Sequence, residues 1–95
     1  MALEFEWDGI KSRKNITKHD ITFEEATTVF GDPLSITIID DLHSSHEERL
    51  ITIGVSSKGK LLVVSHTDRY NKIRMISARN ATNHERNNYE KKNPR

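Results

Sequence analysis

Apolar and polar residues recur along this chain at two periods, and the switches between them mark its elements. At residues 5–8, FEWD sets Phe5 and Trp7 on one side and Glu6 and Asp8 on the other, the pattern of a short half-buried strand. Asp8 is then suited to cap a helix from about Ile10 to Lys18, which has a thin apolar stripe and a basic surface of Lys11, Arg13, Lys14 and Lys18. In ITFEEATTVFGDP the period becomes helical, with Phe23, Ala26, Val29 and Phe30 on one face. Thr22 and Glu25 form a capping box there, and Ile21 can staple onto Ala26. Gly31 ends this helix and Pro33 prevents its continuation.

Four β-rich runs follow: LSITIID from residue 34, RLITIGVS from 49, LLVVSHT from 61 and IRMISAR from 73. SSKGK is a hairpin turn with Gly59 at the position that needs positive φ, and DRYNK is short enough to keep the last two strands antiparallel neighbours. DDLHSSHEE is a polar loop. A last helix starts at Thr82, where Thr82 and Glu85 repeat the capping box. Only Ala81, Glu85 and Tyr89 share a face that can touch the sheet, so burial alone cannot hold this helix, and its KKNPR tail is expected to fray.

The order β-α-α-β-β-β-β-α predicts an α+β domain over residues 1–95, with one twisted, mainly antiparallel sheet covered on one side by helices. A hydrophobic share of 34% against 31% charged residues fits one modest core. No stretch is long and apolar enough for a membrane span, and MALEFEWD lacks the regions of a signal peptide, so a soluble, cytoplasmic protein with no membrane partner is expected. The absence of cysteine excludes disulfides, thiolate nucleophiles and Cys-type zinc.

Net charge is +1, yet residues 69–95 hold eight of the 15 basic side chains and only two of the 14 acidic ones. This cationic region suits phosphate or an acidic protein, and equally describes a solvated surface.

FEWD with Lys11 and Asn15 behind it, KHDITFEEA, VFGDPL, EERLITIG and ISARNAT followed by Glu85, Arg86 and Tyr89 together span residues 5–90. In these stretches the chain resembles the BrnT family of bacterial toxins. One departure is Asp20 where the family usually has Gly after KH, a change that Asp accommodates by tolerating the left-handed conformation. The resemblance implies a RelE-like fold, RNA cleavage that arrests translation, and neutralisation by a BrnA-like antitoxin. That antitoxin would carry a ribbon-helix-helix part, through which alone the complex would reach operator DNA.

A metal-free ribonuclease can use the RNA 2′-hydroxyl as nucleophile, so it needs a base, an acid and cations around the phosphate; no cofactor is required. Arginine suits the last role. In IRMISAR, strict alternation puts Ile73, Met75, Ser77 and Arg79 on one face and Arg74, Ile76 and Ala78 on the other. Arg79 is then a phosphate contact or a partner of Glu85, and Arg74 a contact to a second phosphate or a surface residue. His66 is the acid or base candidate on the neighbouring strand, or a structural histidine. Arg49 shares the parity of Ile51 and Ile53. Glu48, facing away from it, is a base or the ion-pair partner of an arginine. Arg69, Lys72 and Arg86 extend the RNA contacts, and Tyr89 either packs on the sheet or stacks a base. Glu85 is better explained by capping than by catalysis. His43 and His46 form HxxH without a third ligand, so no metal site is expected. The final helix, lacking an apolar face, is a surface that antitoxin or RNA would cover.

Two other readings use the same residues: a non-catalytic module binding nucleic acid or an acidic protein through the basic face, and a toxin of similar fold acting on another component of translation or replication.

Overall fold

The computed structural model describes residues 3–93. Strand β1 (Glu4–Glu6) leads to α1 (Gly9–His19) and α2 (Phe23–Thr27), which continues as a 3-10 turn over Thr28–Gly31. Strands β2 (Ile36–Ile39), β3 (Leu50–Val55), β4 (Leu61–Arg69) and β5 (Lys72–Asn80) follow, and α3 (Asn83–Lys92) closes the chain. The last two residues of the basic tail, Pro94 and Arg95, lie outside the described residues. The sheet order is β1-β5-β4-β3-β2, with β2 to β5 antiparallel and β1 alone parallel to its neighbour β5.

The helix ends follow the local chemistry of the sequence. Asp8 Oδ1 accepts the Ile10 N–H at 2.8 Å, and Asp20 stops α1 in the left-handed conformation at φ 58°, where its N–H donates to the Ile16 carbonyl. The two Thr-x-x-Glu patterns diverge. Thr82 and Glu85 form the reciprocal capping box, whereas at Thr22 only half of it exists, because the buried Glu25 turns inward to accept the Ser56 hydroxyl at 2.8 Å. A carboxylate with a partner in the core has more to gain there than at an exposed helix start. The second helix is also shorter than its apolar period suggests: Val29 and Phe30 belong to the 3-10 turn.

Ile21, Phe23, Ala26, Val29, Leu62, Val64, Met75 and Ala78 are fully or almost fully buried and form the core between α1, α2 and one face of the sheet, here the packed face. Burial of this apolar cluster is the main source of stability. Gly54 is required where β3 meets the 3-10 turn, since a Cβ there would sit 2.9 Å from Val29 Cγ1. β1 pairs only with Lys72 to Arg74, and beyond it the Asn15 side chain takes the place of a strand. Its amide donates to the Ala78 carbonyl at 2.9 Å and accepts the Ala78 N–H at 3.0 Å, which fixes α1 to β5.

Helices cover both sides of the sheet, contrary to the one-sided arrangement anticipated above. Tyr89 of α3 borders the opposite, open face together with Ile36, Ile38 and Ile53, whose cross-strand register places them there. The helix has almost no apolar surface to bury and is held by polar anchors instead. The Tyr89 hydroxyl donates to Asp32 Oδ2 at 2.7 Å, and the Asn93 amide donates to the Leu34 carbonyl at 3.1 Å. Asp32 also accepts the N–H groups of Val55 and Leu34. Burial alone would raise the Asp32 carboxyl pKa, but these donors together hold it below its usual value.

Candidate functional site

The geometry of the site depends on one irregularity in β5. Ser65 pairs with Ser77, but the next residue of β4, His66, pairs with Met75, so Ile76 is an extra residue and the strand bulges. A bulge of one residue exchanges the faces of everything beyond it. Met75 and Ala78 therefore both reach the core, and the strict alternation expected for IRMISAR fails after Met75. Arg74, Ser77 and Arg79 lie opposite Thr67, Ser65 and Val63, three alternate residues of β4, and so share the open face. The expected opposition of Arg74 and Arg79 is corrected by this register.

Arg69 pairs with Lys72, and Lys72 with Glu4, in phase with these positions. Arg49 precedes β3 in phase with Ile51, which pairs with Ser65, so parity assigns it to this face as well. Four candidate cations, Arg69, Lys72, Arg74 and Arg79, are thus brought to one face by register and Arg49 by parity, around a floor of the short hydroxyl residues Ser65, Thr67 and Ser77. Arg74 and Arg79 are offset by four residues of β4, about 13 Å at the rise of a strand, too far to hold one phosphate.

Three of these arginines have their own carboxylate. Arg79 holds Glu85 with two bonds of 2.7 and 2.8 Å, Arg69 holds Glu47 at 3.0 Å, and Arg74 holds Glu6 at 3.4 Å. The Arg79 fork is the main cause that brings the Glu85 carboxyl down to about 2, so Glu85 is no proton acceptor near neutral pH. The same pair fixes the guanidinium at the end of β5, where it remains 40% exposed. Capping and arginine positioning are both tasks of Glu85.

Other candidates are placed elsewhere. His66 alternates with Leu62 and Val64 on the packed face and is 2% exposed. Its Nε2 lies 2.8 Å from Thr52 Oγ1, its Nδ1 lies 3.2 Å from Asp68 Oδ1, and its ring meets Phe30 edge-on. Burial pushes its pKa below the usual histidine value, with Asp68 opposing, so it is a neutral core residue on the wrong side of the sheet for proton transfer to a ligand held by the arginines. Tyr89 is buried by its contacts and bound to Asp32, and its hydroxyl is pushed up to about 12 by burial first and Asp32 second; it packs and does not offer a ring for base stacking. The ion-pair role considered for Glu48 falls to Glu47. Glu48 is exposed and makes no hydrogen bond or ion pair among the described residues. Arg86 is exposed on α3 and lines a separate cleft with Asp32, Leu61 and Tyr89.

Sequence reasoning missed Thr67, which is 1% exposed on the arginine face opposite Arg74, with an Oγ1 that has no partner among the described residues. Only its register marks it out, and that was not readable from one strand. His43 Nδ1 lies 2.8 Å from Asp40 Oδ2, and no group of three His, Asp or Glu is placed to hold a metal ion among the described residues.

Fold and face together define a class, a small α+β domain whose sheet face is suited to a polyanion. The family model for the ribonuclease toxin, BrnT, of type II toxin-antitoxin systems matches residues 7–85, and the chain belongs to that family. The 1.1 Å crystal structure of the Brucella abortus ribonuclease toxin, BrnT, shares the fold at a TM-score of 0.62 and 20% identity, covering 85% of this chain and 99% of that one. No curated protein matches this chain. No helix among the described residues is long and apolar enough to cross a membrane.

Proposed function

We propose that this chain is the toxin of a type II pair, a RelE-like endoribonuclease that cleaves RNA without a metal ion and so halts translation in the cytoplasm. In this reading RNA lies across the open face, with Arg79 and Arg74 on separate phosphates and Arg49, Arg69 and Lys72 along the backbone. The observation that carries it is the bulge at Ile76, which brings both β5 arginines to the same side as Arg69 and Lys72. The 2′-hydroxyl attacks its own phosphate as the P–O5′ bond breaks, leaving a 2′,3′-cyclic phosphate and a 5′-hydroxyl that takes its proton from water. The proton of the 2′-hydroxyl goes to a carboxylate at the rim, for which Glu48 is proposed because it is not engaged by an arginine and lies in the loop ahead of β3, outside the strand's alternation, from which its neighbour Glu47 already reaches Arg69. Arg79 neutralises the charge that grows on the phosphate oxygens, a task for which its fork is already oriented by Glu85. A BrnA-like antitoxin with a ribbon-helix-helix part neutralises the toxin and carries the complex to operator DNA.

The pairing of each β5 arginine with a carboxylate also suits a module that binds nucleic acid without cleaving it. One experiment separates the two. Purified chain, freed of antitoxin, is incubated with RNA in chelator, and product ends are mapped for wild type, Arg79→Ala and Glu48→Gln. The enzyme reading predicts 2′,3′-cyclic phosphate ends that are lost or greatly reduced in both variants. RNA binding with no cleavage, also in the presence of ribosomes, favours the binding module.

A further inference from the structure

At the far side of the sheet from the arginines, β2 is an edge strand with no partner on its outer side among the described residues. Such edges are normally protected by charge, proline or a covering segment, because their free N–H and C=O groups pair readily with another chain. The β2 sequence ITII has neither charge nor proline, and Ile38 and Ile39 are 48% and 52% exposed. Beside this edge runs a groove of about 430 Å³, floored by Ile36, Ile38, Ile53 and Tyr89 and bounded by Lys91 and Lys92 of α3, with no carboxylate in its lining. An apolar floor with a cationic rim next to an open strand edge is a template for an extended segment that is both apolar and acidic.

We infer that the antitoxin docks here by adding a strand to β2, with alternate apolar side chains in the groove and carboxylates against Lys91 and Lys92. The inference rests on membership in a toxin-antitoxin family, and the sign of the rim charge selects the occupant. A second copy of this chain, packed symmetrically, would bring the same lysines to a shared rim and repel. A nucleic acid would find two lysines and one asparagine, Asn88, beside a floor that is otherwise isoleucine and tyrosine, too few polar partners for a backbone of phosphates. The docking edge lies across the sheet from Arg74 and Arg79, with β3 and β4 between, so strand addition and arginine chemistry are separable by mutation.

The test titrates the full-length partner antitoxin, co-expressed with this chain and then separated from it, into wild type, Ile38→Glu and the double variant Lys91→Glu/Lys92→Glu at two salt concentrations. These positions are solvent-exposed or nearly so, and all three proteins should show the same melting curve. Each variant is expected to bind antitoxin at least ~10-fold more weakly, and the lysine variant should lose most of the salt dependence. Hydrogen exchange at residues 36–39 of the wild type should slow on binding. Wild-type affinity in both variants overturns the proposal, as does unchanged exchange in β2. So does self-association of the free chain that Ile38→Glu abolishes while antitoxin affinity stays the same. RNA cleavage, measured on the same samples, keeps the two readings apart: a chain that cleaves nothing yet loses antitoxin in these variants defeats the enzyme and leaves the docking site standing.

Discussion

The two faces of the central sheet are built by opposite means. On the packed face, Phe23, Leu62, Val64 and Met75 exclude water, and the polar groups that enter, Thr52 and His66, find partners within it. On the open face, the β5 arginines stay partly exposed, each held by a carboxylate, and α3 is anchored over one end by Asp32 and Glu85 with little apolar burial. The larger apolar cluster is therefore on one side and the charge chemistry on the other, where Leu61 and Val63 of β4 are the buried apolar exceptions. A substitution in the packed cluster should unfold the chain and one at an open-face arginine should silence it.

The sharpest test of that division starts in the core. Phe23 is fully buried and meets Trp7 edge-on with ring centroids 5.8 Å apart. Phe23→Ala is expected to lower stability by about 3–5 kcal/mol, through lost burial and the cavity left behind, measured by urea unfolding. Arg79→Ala should show the reverse pattern. Its ion pair is partly exposed, so the stability lost should stay within about 1 kcal/mol. Cleavage, by contrast, should fall about 100- to 1,000-fold, as when one preorganised donor to a developing charge is removed. Equal loss of stability in both variants would erase the distinction between the faces.

His66 sharpens the comparison because it was a candidate for catalysis and lies on the packed side. Its folded pKa is lowered, so between that value and the unfolded value near 6.5 the unfolded chain binds more protons. Its contribution to stability is present above about pH 6.5 and is lost as pH falls through the folded pKa. That loss should reach a slope of up to about 1.4 kcal/mol per pH unit. Urea midpoints for wild type and His66→Gln, followed between pH 7.5 and pH 5, should diverge, with a flatter profile in the variant. RNA cleavage by the same variant should stay within about twofold of wild type at neutral pH. A variant that keeps the wild-type pH profile but loses cleavage would move His66 into the site.

What the sequence alone disclosed is what depends on neighbours in the chain. Asp8, Thr82 and Gly59 signal their caps and turn within a few residues, and the four long strands follow from β-rich runs between turn residues. Asp20 takes the left-handed cap that its short polar side chain allows. The missed features are set by distant partners. The extra residue at Ile76 exists only relative to β4, and it reverses the faces of Ser77 to Asn80. Glu25 leaves its capping box for Ser56, 31 residues away. The side of His66 was hidden by the continuous apolar run LLVV, buried on both faces, which carries no alternation to read. Cations were therefore legible as a group, but which of them share a surface was not.

The smallest expected effect probes how α3 is kept on the open face. Tyr89→Phe removes one hydroxyl and leaves the ring, so packing is conserved while the 2.7 Å bond to Asp32 is lost. Asp32 is half-buried and keeps the N–H donors of Val55 and Leu34, which limits the penalty of the lost partner. A loss of about 1 kcal/mol in urea unfolding is expected. Because Glu85 and Tyr89 lie one turn apart on α3, looser docking at Tyr89 should also loosen the carboxylate that orients Arg79. Faster hydrogen exchange confined to residues 85–93, with a small fall in cleavage, would show that the polar anchor positions the arginine. Faster exchange across β4 as well would mean that α3 supports the whole sheet, and the separation between the two faces would then be incomplete.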